Sequence, residues 1–256
     1  MGKIVSIHSF RGGTGKSNIS ANVAAQFASR GKRVGVVDTD IQSPGIHVIF
    51  GMDEKKINMA LNDYLWERCT VEDAAYDVTE SVQAKGSPLS GRLYLIPSSL
   101  RSGEISKVLK EGYNVVLLTD GFETLIEKLG LDYLIIDTHP GVNEETLLSL
   151  AISDVLAIVL RPDQQDYQGT AVTVDLARSL KVPNLFLVVN MALSSYSPDA
   201  LRERIEGTYH CPVAAVLPLS EDVARAQSAD IFSLRNPVHP FTRAIKEIVA
   251  FIEASE

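Results

Sequence analysis

The sequence predicts an α/β fold: a doubly wound, mostly parallel sheet flanked by helices. Three observations carry this reading. Short apolar runs such as "VGVV", "YLII", "LAIV" and "LFLVV" are continuous rather than alternating, as strands covered on both faces require. Helical patterns fall between these runs. The first run leads into a glycine-rich turn that opens a helix, the place where such sheets hold ligands.

The elements follow in order. A strand over Lys3–His8 precedes a helix over Ser17–Arg30, which Gly31-Lys32 closes. Strands follow at Arg33–Asp38, Arg92–Ile96 and Tyr133–Asp137, and the insert from Ile57 to Gly91 reads as helices and loops without chemistry. Next come a helix over Asn143–Ile152, a strand over Val155–Leu160 and a helix over Gln168–Leu180, closed by Lys181-Val182-Pro183. A strand over Leu185–Asn190, a helix over Asp199–Tyr209, a strand over Val213–Leu217 and helices over Glu221–Ser228 and Pro240–Ala254 complete the pattern. One domain spanning residues 1–256 is expected, since a chain of this length buries roughly 70–75% of its unfolded surface in a single fold.

Composition narrows the function. A net charge of −8 disfavours a strongly nucleic-acid-binding surface overall. There is no apolar run long enough to span a bilayer, and the first run reads as a buried strand rather than a signal peptide. Cys69 and Cys211 form no CxxC, so zinc and iron–sulfur sites lack support, and two buried thiols fit a reducing, cytoplasmic setting. None of the five histidines is spaced to another as metal ligands are.

The chemistry concentrates in "SFRGGTGKSN". Gly12, Gly13, Thr14, Gly15, Lys16 and Ser17 sit between a strand and a helix, the context a phosphate-binding loop requires. Glycines let backbone N–H groups curl around phosphate oxygens, and the helix N-terminus adds partial positive charge. Lys16 would reach the β- and γ-phosphates, and the Ser17 hydroxyl would hold Mg²⁺. The strict GxxxxGK[ST] spacing asks for glycine at position 10, where the chain has Phe10; the glycines instead form a pair at 12 and 13.

That departure resembles the deviant Walker A motif, KGGxGK[ST], of the MinD/ParA family of ATPases. The resemblance extends over nearly the whole chain. "VVDTDIQSPG", "LYLIPSS", "YLIIDTHPG", "LVVNMA" and "LPLSEDVARA" resemble, in order, the family's later motifs. It implies ATP and Mg²⁺ as ligands, with Asp38 and Asp137 beside Ser17 on the Mg²⁺ side and Asp40 orienting the attacking water. It also implies Asn190, Pro218 and Leu219 around the adenine. Asn190 is followed by Met191-Ala192-Leu193 rather than the Lys-x-Asp of a GTPase, which favours ATP. Pro44 and Gly45 shape the loop after Asp40, and Gly141 lets the backbone approach the γ-phosphate and swing when it leaves. The family usually has proline at His139, which reads here as a loop residue.

The family's signature lysine falls at Arg11. There it crosses a two-fold interface to the partner's nucleotide, so the resemblance implies a homodimer with two ATP molecules sandwiched between subunits. Arginine keeps the charge and adds a planar fork that grips phosphate oxygens, and a contact within its own subunit is the alternative. The expected function is an ATP-dependent dimerising switch with slow, partner-stimulated hydrolysis, which positions or regulates a cargo through an activating or adaptor protein. The alternatives are an ATP-binding regulatory module with negligible turnover, FlhG-like, and a P-loop small-molecule synthetase. A membrane anchor is disfavoured, because Arg243 and Lys246 of the last helix are offset by Glu247, Glu253 and Glu256. Non-specific DNA stays open as a docking surface, since Arg202, Arg204, Arg225 and Arg235 could cluster once folded.

Overall fold

The structure is a computed structural model describing residues 2–83 and 88–255. Residues 84–87 of the insert, and Glu256 of the tail, lie outside the described residues. The chain runs β1 (Lys3–His8), α1 (Lys16–Ser29), β2 (Arg33–Asp38), α2 (Ile46–Ile49), α3 (Leu61–Leu65), β3 (Tyr76–Asp77), α4 (Thr79–Gln83) and β4 (Arg92–Ile96). It continues through α5 (Ser102–Glu111), α6 (Val116–Leu129), β5 (Tyr133–Asp137), α7 (Glu144–Ala151), β6 (Val155–Leu160) and α8 (Gln164–Ser179). It closes with β7 (Asn184–Ala192), α9 (Pro198–Tyr209), β8 (Val213–Pro218), α10 (Glu221–Arg225), α11 (Phe232–Arg235) and α12 (Pro240–Ala254).

One eight-stranded sheet has the order β3-β4-β2-β5-β1-β6-β7-β8. It is parallel except where β3 pairs antiparallel with β4. The continuous apolar runs split between its two faces. In β5, Tyr133 and Ile135 join the core beneath α1 and α12, while Leu134 and Ile136 join the core beneath α6. In β6, Val155, Ala157 and Val159 face the first core, and Leu156, Ile158 and Leu160 meet α8 and α9. Both faces are therefore covered, as the composition of these strands demands. In α12, Phe241, Ile245, Ile248 and Ile252 are buried in the first core, so the helix lies on the sheet.

The departures from expectation have local causes. Two helices, α5 and α6, occupy a stretch where the sequence reading placed no element. In α6, Leu118, Phe122, Leu125 and Ile126 keep helical spacing on the buried face, and at Gly121 a methyl group would press on the Tyr64 ring. β3 is only two residues long, too short to leave a pattern. α8 starts four residues before the expected Gln168, because Asp163 caps it by accepting from the N–H groups of Gln165 and Asp166. α10 ends at Arg225, before the expected Ser228, since Gln227 and Ser228 adopt left-handed φ of 51° and 54°.

The register matters for the site. Parallel pairing sets Asp38 of β2 opposite Asp137 of β5, and Asp137 in turn opposite Ile7 of β1. Two carboxylates thus end adjacent strands at the sheet's carboxyl edge, beside the turn that leaves β1.

Candidate nucleotide site

The turn between β1 and α1 is shaped by its glycines. Gly13 and Gly15 have φ of 77° and 85°, the left-handed region. At Gly15 a side chain would also collide with the Asn190 amide. Gly15 stands at the N-cap of α1, where no side chain among the described residues caps the helix. The first N–H groups of α1 are therefore presented together to an anion.

This turn forms one wall of a cleft of about 580 Å³. Gly12, Gly13, Thr14, Gly15, Lys16, Ser17 and Asp40 line it, and so do Asn190, Pro218 and Leu219. The two groups expected to hold phosphates and base thus meet in one cavity. The sequence reading missed Met191, Val223 and Phe241, which add apolar surface. Asn190 donates from Nδ2 to the Thr14 carbonyl at 2.7 Å, so part of its amide braces the phosphate loop.

Asp38 and Asp137 lie beneath the cleft, both fully buried. Lys16 Nζ approaches Asp137 Oδ1 at 3.3 Å, and Ser20 Oγ donates to the same oxygen at 2.9 Å. Asp137 Oδ2 is buried without a hydrogen-bond partner among the described residues. Asp38 accepts from the N–H groups of Asp40 and Gly45 at 3.0 and 3.3 Å. Burial first, then the neighbouring charge of Asp137, pushes its carboxyl up to about 8. The pair is short of positive charge, and one oxygen is unspent. A hydrated divalent cation fits such a donor set. No group of three acidic, histidine or cysteine side chains among the described residues could hold a metal alone. Ser17, water and nucleotide phosphates would have to complete its shell.

Asp40 sits on the loop after β2. Its Oδ1 accepts from His139 Nδ1 at 2.7 Å, from Ser43 Oγ at 3.0 Å and from Ser43 N at 3.2 Å. Burial acts to raise its pKa, but the His139 hydrogen bond and the Lys16 charge outweigh it and leave the carboxyl below its usual range. His139, read from sequence as a plain loop residue, is therefore part of the site; proline's absence at that position was the available signal. His8 was also missed. It is wholly buried, with Nδ1 2.8 Å from Thr138 Oγ1, next to the loop that carries His139.

Arg11 stands outside its own cleft. Its guanidinium lies 3.3 Å from Asp166 and 3.7 Å from Asp163, both at the start of α8. Arg161 shares both carboxylates. Within one subunit Arg11 thus has the contact that was the alternative to a reach across an interface.

A parallel sheet, a glycine turn opening a helix beneath a cleft, and a buried aspartate ending the adjacent strand define a P-loop nucleotide-binding protein. A family model described as an AAA domain matches residues 2–184, and the chain belongs to that family. An uncharacterized ATP-binding protein of Methanocaldococcus jannaschii is 29% identical over 247 residues, covering 96% of this chain and 86% of that one. Among solved structures, the cell division ATPase MinD of Pyrococcus furiosus superposes with a TM-score of 0.83 at 22% identity, covering 100% of both chains. The septum site-determining protein MinD of Pyrococcus horikoshii, solved as a complex with Mg-ADP, superposes with a TM-score of 0.80 at 20% identity, covering 99% and 96%.

Proposed function

We propose that the protein is an ATP-dependent dimerising switch, whose ATP-bound pair engages a cargo or partner and whose hydrolysis releases it. The observation that carries this reading is the position of Arg11. A cation at the rim of the phosphate loop, 37% exposed and outside its own cleft, suits the nucleotide of a second copy. Within the cleft, Lys16 is the cation beside the phosphate loop, and an arginine delivered in trans would complete the charge stabilisation of phosphoryl transfer.

The roles in this reading are those the resemblance implies. The N–H groups of residues 12–17 cradle the phosphates. Lys16 turns from Asp137 to the β- and γ-oxygens. Ser17 and, through water, Asp38 and Asp137 would hold Mg²⁺, which when bound would supply positive charge to the phosphates. Asp40 accepts a hydrogen bond from the attacking water and aims its oxygen at the γ-phosphorus. Pro218, Leu219 and Met191 enclose the base.

The test is ATP turnover per subunit, measured from dilute to concentrated protein. The rate should rise with concentration and fall in Arg11→Ala. Asp40→Ala should bind ATP, persist as a dimer and hydrolyse little. A flat rate per subunit together with a silent Arg11→Ala would sink the trans arrangement. Repeating the assay with duplex DNA, with liposomes and with neither separates the docking surfaces. No described helix is long and apolar enough to cross a membrane.

A further inference from the structure

His139 ties together two loops that the nucleotide must organise. Asp40 belongs to the loop after β2, and His139 to the loop after β5. Among the described residues, the side-chain oxygen of Asp40 that receives hydrogen bonds is Oδ1, and its three donors are His139 Nδ1, Ser43 Oγ and Ser43 N. Ser43 rides on the same loop as Asp40 and moves with it. His139 is the donor that comes from another element. With Oδ1 held this way, Oδ2 is the oxygen left to face a water in the cleft that Asp40 lines.

The histidine is itself anchored. Before it, the N–H and hydroxyl of Thr138 both donate to the Ile7 carbonyl, at 3.3 and 3.1 Å. Its own carbonyl accepts from Thr146 Oγ1 of α7 at 3.3 Å. After it, the Gly141 N–H donates to the Ser9 carbonyl at 3.1 Å. The other nearby acidic group is Glu145 of α7. Both the His139 and Asp40 side chains are largely shielded, at 19% and 14% exposure, so the contact is not a solvent-screened surface pair. Proline, the residue the MinD/ParA resemblance leads one to expect here, offers no ring hydrogen to a carboxylate.

We infer that His139 is a positioning residue for hydrolysis: its Nδ1–H fixes the Asp40 carboxylate so that Oδ2 points at the attacking water. The inference rests on the switch reading and on Asp40 as the water-orienting group in it. It assigns to this chain a cross-loop tie in which closing one loop on ATP sets the aim of the other.

The experiment compares wild type with His139→Ala, His139→Pro and His139→Asn. Two quantities are read: ATP turnover at saturating ATP, and the affinity for a fluorescent ATP analogue. Loss of aim should lower kcat by about ten- to a hundred-fold in His139→Ala and His139→Pro. The affinity should stay within two-fold. His139→Asn, whose amide hydrogen stands where Nδ1 stood, should recover most of kcat. A second readout is independent of turnover. Nitrogen NMR of labelled histidine in nucleotide-free protein should show a hydrogen on Nδ1 of His139, and Asp40→Ala should return the ring to the Nε2–H form. An active His139→Ala, an Asn variant no better than Ala, a parallel loss of affinity and kcat, or an Nε2–H ring in wild type would each overturn the tie. Absence of turnover in wild type would instead overturn the switch reading on which it rests, so the two failures are distinct.

Discussion

At the residue scale, magnitudes decide what the cis contact of Arg11 means. An ion pair with a partly exposed arginine is worth about 0–1 kcal/mol. An arginine supplied in trans accelerates phosphoryl transfer by about 10³–10⁵, roughly 4–7 kcal/mol at 1.36 kcal/mol per tenfold. Releasing Arg11 also leaves Asp166 partnered, since that buried carboxylate accepts from both the N–H and the Nε–H of Arg161. The cis pair is therefore weak enough to serve as a resting place. Arg11→Ala should lower unfolding stability by less than about 1 kcal/mol while turnover collapses. Urea unfolding and ATPase assays on one preparation check both halves. A second prediction concerns His8. Burial, aided by the charge of Lys16, lowers its pKa from 6.5 to about 3. The unfolded chain then binds a proton that the folded chain refuses, so stability is unaffected above pH 6.5 and declines as pH falls toward 3. The slope attributable to this one group is at most about 1.4 kcal/mol per pH unit. His8→Asn keeps a donor for Thr138 and should flatten the decline by that amount between pH 6 and 4, measured by urea unfolding across the range.

At the scale of elements, the contact between the phosphate loop and α8 is the most exposed to test. Gly169 lies where a methyl group would overlap the Phe10 ring. Replacing glycine by alanine inside a helix ordinarily gains roughly 0.5–1 kcal/mol. Here overpacking should cost about 1–3 kcal/mol and reverse the sign. Gly169→Ala should be destabilising, and Phe10→Ala in the same chain should remove most of that penalty, as a double-mutant cycle would read. The same contact shows why parts of the molecule were legible and others were not. β1, β2 and β4 to β8 were legible because strands buried on both faces spell themselves as short runs rich in Val, Ile and Leu. The phosphate loop was legible because left-handed φ at Gly13 and Gly15 restricts which residues serve there. Gly121 of α6 answers to Tyr64, far away in sequence. Phe10 looked like a departure from glycine spacing, and its reason is Gly169 on another helix. The His139–Asp40 bond joins residues 99 apart. Local composition reports burial and backbone angle; it does not report partners brought together by the sheet order.

At the scale of the whole molecule, the sheet gathers Asp38, Asp137, the phosphate loop and Asn190 at one edge, so a nucleotide bound there would stabilise the fold. A ligand that binds only the folded state adds RT ln(1 + [L]/Kd), about 2.7 kcal/mol at a hundred times Kd. If that ligand also joins two copies, the gain depends on protein concentration as well. Mg-ATP should therefore raise the melting temperature of Asp40→Ala, which on the proposed switch would hold ATP without consuming it, and the rise should grow as protein is concentrated. ADP should raise the melting temperature by an amount that does not change with concentration. Lys16→Ala should lose the ATP response, because its phosphate loop retains glycines and helix dipole but no cation for the β- and γ-oxygens. Scanning calorimetry at protein concentrations spanning about two decades reads all three. A rise with ATP that is equally large at every protein concentration would leave a nucleotide-binding fold whose copies act alone. A rise that grows with concentration only for ATP identifies the γ-phosphate as the group that joins two subunits, with Arg11 at the rim as the side chain placed to meet it.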